Sequence, residues 1–204
     1  MPATSLNDLY LQKLQLLLDA EQQGLQAMPQ LAERVQNPQL REALEMHRRQ
    51  TEQQIERLQR LAGSRGQGPE STPANGCISM RALIEEAQTI LPNIQDPDTI
   101  DAFIIGAQQA VEHHEIAAYG TARTWAQTLG FDEDADLLQQ TLDEEGEADE
   151  LLTQIAEQSV NQEASQGSDR EVGIERGGEG DRAATGRTGG MPTDVSIERG
   201  ADMR

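Results

Sequence analysis

The sequence predicts an all-α protein: an antiparallel four-helix bundle with a short extra helix in one long connection, followed by a flexible C-terminal tail. Three observations carry that expectation. Aromatic residues make up 2% of the chain and β-branched residues are sparse through residues 1–160, so strands have little to be built from. Leu, Ala, Gln and Glu crowd residues 5–160 with helical periodicity, the pattern of rods that each bury one face. Beyond Ser165 the chain turns to Gly, Arg, Asp, Glu and Thr, too poor in large apolar groups to offset the entropy of ordering.

The first helix is expected from about Ser5 to Val35, capped by Ser5 or Thr4, with Asp8 at the positive end of its dipole. Pro29 should bend this helix or end its first part. At "QNPQ", residues 36–39, Asn37 caps and Pro38 opens a second helix that runs to about Ala62. The Gly-, Ser- and Pro-rich stretch "GSRGQGPESTPANG" reads as a loop. A short helix follows over 79–91, capped by Ser79 and closed by Pro92. Asp96 or Asp98 starts the third long helix, through Ala126. "LGFDED" breaks it, and the fourth spans about Glu133 to Val160. One longer connection, between the second and third long helices, is what a ferritin-like arrangement requires. The division is thus a bundle over 1–163 and a tail over 164–204. The tail repeats Val-x-Ile-Glu-Arg-Gly, at 172–177 and 195–200, a pair of short peptides suited to bivalent docking on a partner.

The formal net charge is −20, from 36 acidic and 16 basic residues. Such a surface repels phosphate backbones and anionic lipids, which argues against nucleic-acid and membrane binding. Cys77 is the single cysteine, so neither an internal disulfide nor a thiolate zinc cage is available. The opening residues lack a basic segment followed by an apolar run, and no apolar run is long enough for a membrane span. A soluble, cytoplasmic protein is the expectation.

At about 100° per residue, helical phase places polar groups where apolar ones belong. In the first helix the stripe is Leu14, Leu18, Glu21, Leu25, Met28 and Ala32, with Glu21 at its centre. In the second, His47 faces inward among Leu40, Leu44, Thr51, Ile55, Leu58 and Ala62. In the third, Glu115 edges a stripe of Ile104, Ala107, Val111, Ala118, Ala122 and Trp125, with His114 beside it. Glu112 is farther out with Gln108 and Tyr119, and His113 points away. In the fourth, Glu145 and Asp149 share a stripe with Leu138, Leu142, Leu152 and Ala156. Four acids facing one axis repel strongly in a low dielectric unless protons or cations intervene. A carboxylate-rich, sulfur-free set with imidazole suits iron or manganese, one ion or two.

The segments "DAEQQ" at 19–23, "HRRQTEQQIERL" at 47–58, "VEHHEIAAYGT" at 111–121 and "LDEEGEADELLT" at 142–153 resemble the bacterial YciF/YciE-type ferritin-like proteins over about residues 5–160. The resemblance implies a ferritin-like bundle, often dimeric and linked to stress responses. By similarity to metal-binding ferritin-like proteins, Glu21, Glu112, Glu115 and Glu145 fit ligand positions, with Asp149 near a usual His position. The expected second-helix Glu-x-x-His falls on Thr51 and Gln54, so that motif is lost and His47, one turn earlier, substitutes. His114 and Tyr119 are expected to orient the carboxylates.

The functional expectation is a stress-associated bundle binding iron or manganese through Glu21, His47, Glu112, Glu115, Glu145 and Asp149. Ferroxidase- or peroxidase-like redox chemistry is the enzymatic form of that reading. The alternative is a non-catalytic interaction protein whose tail docks a partner or shell. Leu9, Leu16 and Leu17 add apolar surface that points to a homodimer contact.

Overall fold

A computed structural model describes residues 3–66, 68 and 74–172. Six α-helices follow in order: α1 Leu6–Ala32, α2 Pro38–Ser64, α3 Ile78–Ile90, α4 Pro97–Thr128, α5 Asp132–Ile155 and α6 Asn161–Val172. A 3-10 turn, Leu91–Asn93, follows α3, and a π-helical stretch, Ala156–Val160, joins α5 to α6. The described residues contain no strand. The repeated peptides, apart from Val172, lie outside the described residues.

Local chemistry sets most of the boundaries. Ser5 Oγ accepts from the Asp8 amide at 3.1 Å and opens α1. Asn37 Oδ1 accepts from the amides of Gln39 and Leu40, ahead of Pro38. The Asp96 carboxylate accepts from Thr99 N and opens α4. Asp101, 3% exposed, reaches from α4 to the α1–α2 turn, where its two oxygens accept from Gln36 N at 2.9 Å and Asn37 N at 2.7 Å. That carboxylate satisfies amides that the turn would otherwise leave bare.

Of the two outcomes expected at Pro29, ending the helix is excluded: α1 continues to Ala32, and the Pro29 carbonyl accepts from Glu33 N. Two further expectations are corrected. Ser79 is not the cap of α3: Cys77 holds that position without a side-chain cap bond, and Ser79 Oγ is occupied elsewhere. The last helix does not stop at Val160. Ala156 and Val160 are buried within the π-helical stretch, and α6 goes on to pack against α4. One extra residue in a turn rotates the following helix, which keeps a sequence of weak propensity on the bundle surface.

The core has three storeys. One apolar cluster joins Val35, Leu40, Leu44, Ile104, Leu152 and Ile155 near the α1–α2 turn. Another joins Tyr10, Leu14, Leu58, Tyr119, Ala122 and Leu138 near the α4–α5 turn. Between them, each long helix contributes buried polar side chains: Glu21 from α1; His47, Thr51 and Gln54 from α2; Gln108, Glu112 and Glu115 from α4; Thr141 and Glu145 from α5. The order in which each helix meets these storeys gives its direction. α1 and α5 run one way, α2 and α4 the other, so α2 and α4 are parallel and the connection bearing α3 must travel the bundle's length. Helix α3 packs on α1 and α4. Leu16 packs with Ala20, Cys77 and Met80 beneath α3, and Leu17 is 1% exposed in the chain's own core. Of the three leucines expected at a dimer contact, Leu17 is therefore buried within the chain, Leu16 is half-buried and Leu9 is exposed.

Candidate metal centre

The middle storey gathers four ligand-bearing groups tightly. His47, Glu112, Glu115 and Glu145 each place one donor atom within 4.8 Å of all the others. All four are buried, with Glu112 and Glu145 at 0% exposure. They come from three helices at matching height, which follows from spacing: His47 lies one turn past Leu44, Glu112 and Glu115 share a face of α4, and Glu145 lies between Leu138 and Leu152. Glu112 Oε1 accepts from Gln108 Nε2 at 2.9 Å and lies 3.3 Å from His47 Nε2. Four atoms here have no hydrogen-bond partner: His47 Nδ1, Glu112 Oε2 and both oxygens of Glu145.

Electrostatics sharpens the point. Burial pushes the Glu145 carboxyl well above the usual carboxylate range; the charges of Glu115, Glu21 and Glu112 add to it, as does a carboxyl–carboxyl hydrogen bond with Glu112 that forms once one of the two acids carries a proton. Burial does the same to Glu115, with Glu21 and Glu112 adding repulsion. A buried carboxylate with neither donor nor cation beside it costs several kcal/mol. The set can therefore hold a cation, or retain protons.

Glu21, 1% exposed, stands next to this set rather than within it. Its Oε1 accepts from the Tyr119 hydroxyl at 2.5 Å. Burial, aided by the charges of Glu112 and Glu144 and opposed by Tyr119 and Arg57, lifts its carboxyl to about 8. Tyr119 thus orients a carboxylate of the storey.

Asp149 is not brought in. Its side chain is 22% exposed, and Oδ1 accepts from Gln109 Nε2 at 3.0 Å and faces His113 Nε2 at 3.4 Å. Residues three and four beyond Glu145 flank the same face, and the small Ala148 takes the inner position. His114 does not orient a carboxylate either. Its Nε2 lies 3.2 Å from Ser79 Oγ and 3.5 Å from Cys77 Sγ. Burial alone would raise the Cys77 thiol, but the His114, Ser79 and Met80 contacts outweigh it and bring it down to about 7. Glu112, expected on a flanking strip, is at the centre of the α4 face, along with Gln108 and Tyr119.

At the positions where a second-helix ligand pair was expected, Thr51 and Gln54 do face inward, at 1% and 0% exposure; the Thr51 hydroxyl and the Gln54 amide nitrogen are committed elsewhere, while Gln54 Oε1 is buried without a partner. Thr51 Oγ1 donates to the His47 carbonyl, and Gln54 Nε2 donates to Glu144 Oε2 at 3.1 Å. The sequence reading missed Arg57, which donates from two nitrogens to the two oxygens of Glu144, at 3.0 Å each, and also to Thr141 Oγ1. No local pattern announces that pair, because its partners are on separate helices. Gln108 was more legible: Gln-x-x-x-Glu spacing places its amide beside Glu112.

The chain has relatives. The sequence is 35% identical to protein YciF of Escherichia coli K12 over 164 residues, covering 80% of this chain and 98% of that protein. The crystal structure of the E. coli stress protein YciF superposes with a TM-score of 0.72, covering 78% of this chain and 99% of that one. YcfI of Rhodopseudomonas palustris superposes with a TM-score of 0.70 at 37% identity, covering 74% and 94%. A protein from Xanthomonas campestris, at 22% identity and a TM-score of 0.62 over 82% and 99% of the two chains, shares the fold. No helix among the described residues is long and apolar enough to cross a membrane. Residues 5–165 match the family described as a domain of unknown function, DUF892, and the chain belongs to that family.

Proposed function

We propose that the middle storey binds iron or manganese, and that the protein handles metal or consumes oxidant under stress, in line with the stress-protein name of its E. coli relative. The supporting observation is the orphaned donor set: both Glu145 oxygens, Glu112 Oε2 and His47 Nδ1 are buried without partners. Three carboxylates and one imidazole with no sulfur suit iron or manganese over softer ions. Glu145, Glu112, Glu115 and His47 hold the ion, and Glu21 stands ready as a further carboxylate. A redox-active metal bound there would supply one-electron chemistry. The chain's own part is to bring the acids together, hold Glu112 through Gln108 and Glu21 through Tyr119, and exclude bulk water with the apolar storeys on either side.

Elemental analysis of protein purified without a tag tests this reading. Wild type should carry iron or manganese in stoichiometric amount, and a Glu112→Ala/Glu145→Ala variant with unchanged helicity should carry little. Equal metal content in the two proteins would remove the proposal.

A further inference from the structure

A second concavity lies outside the bundle core, between α1, α3 and α4. It has a volume of about 400 Å³, within the usual range of ~300–1,000 Å³ for small-molecule pockets. Its wall is apolar: Met28, Leu31, Leu83, Ile84, Leu91 and Val111. Protein interiors are normally filled to crystal density, yet Gly24 opens into this space, and a Cβ added there would meet nothing within 4 Å. At the rim is Arg34, half-buried, and no carboxylate among the described residues pairs with it. An unpaired guanidinium beside an apolar trough is conspicuous in a chain of net charge −20. From Gly24 to its end at Ala32, α1 rises about 12 Å at 1.5 Å per residue, and Arg34 stands two residues beyond in the turn, a span that suits a medium alkyl chain. The inner wall includes Gln108, 3% exposed.

We propose that this groove binds a small amphipathic carboxylate, its head paired with Arg34 and its alkyl chain lying along Met28 and Gly24. The fork of a guanidinium matches a carboxylate's two oxygens, and the trough provides the dry surface that an alkyl chain seeks. Arg34 selects for the anion, and the missing side chain at Gly24 makes room for the tail. This site needs no metal.

Calorimetric titration of the full-length protein with dodecanoate, in chelator and below the concentration at which the acid aggregates, tests the proposal. Wild type should bind saturably, one per chain. Arg34→Gln should weaken dodecanoate about tenfold, the ratio expected from losing one charge-assisted contact, while leaving neutral dodecanol unchanged. Gly24→Leu should abolish binding of both. Ala107→Leu, at a half-buried groove position, should do the same if Gly24→Leu fails to fold. Absence of saturable binding by wild type, equal dodecanoate affinity in Arg34→Gln, or unimpaired binding in the folded leucine variants would each overturn it.

Discussion

Without metal, the buried acids should make this protein lose stability as pH rises. Burial is the main cause that lifts Glu21 from 4.5 to about 8; Tyr119 and Arg57 pull against it, and Glu112 and Glu144 add to it. An unfolded chain releases this proton near pH 4.5 and the folded chain near pH 8, so between those values the native state holds more protons. Its contribution is fully present below the lower value and is lost as pH climbs through the upper one. At ~1.4 kcal/mol per pH unit, this group accounts for on the order of 5 kcal/mol, a large part of the ~5–15 kcal/mol that holds a typical domain folded. Glu115 and Glu145 are pushed the same way. Ordinary surface acids are already ionised above about pH 5 and add little slope. The assay is the urea midpoint from pH 5 to 8.5 at constant ionic strength, with chelator. The wild-type midpoint should fall across the window, and Glu21→Gln should flatten the fall. Added Mn²⁺ should oppose it, because a cation favours the ionised carboxylates. A wild-type midpoint that stays level or rises in chelator would refute the reasoning.

Arg57→Ala should cost about 3 kcal/mol, because it leaves the partly buried Glu144 without its cation, held only by the amides of Gln54 and Gln140, read as a fall in the urea midpoint; Arg57→Met with Glu144→Gln should recover most of it. Gly76→Ala should cost ~1–3 kcal/mol in the same assay: φ is 56° there, and a Cβ would stand 2.4 Å from the Asp19 oxygen that accepts from Cys77 N. Gln108→Ala removes the donor that holds Glu112 Oε1 and should weaken Mn²⁺ binding roughly 10–100-fold, as loss of an orienting partner does, measured by calorimetric titration.

The fold was legible because its determinants are local. Ser5, Asn37 and Asp96 each cap the helix that follows, and the leucine spacing of α1 and α2 marks the buried side. What failed was phase near the middle storey. A stripe drawn through apolar residues ran along Val111 and Trp125 on α4, yet the face that meets the bundle axis carries Gln108, Glu112, Glu115 and Tyr119. Hydrophobicity locates a buried face only where the buried environment is apolar. Where a storey is polar, the sequence's own signal points off to the side, toward the α3 contact that Val111 makes. The same error put Ile55 ahead of Gln54 on α2 and Asp149 ahead of Ala148 on α5.

The misplaced stripe is therefore informative in itself. Ordinary selection for stability would fill the centre of a bundle with leucine, and replacing buried ionic groups by apolar ones is often neutral or stabilising. Here each long helix departs from its apolar pattern at the same height, and the departures are acids, an imidazole, amides and the hydroxyls of Thr51 and Thr141. Among the described residues Arg57 is the one buried guanidinium, and it is spent on Glu144. Glu112, Glu115 and Glu145 are left facing one another with His47. A bundle that gathers three acids and satisfies only the periphery of the cluster can offset their repulsion in two ways, by retaining protons or by taking up a cation from outside.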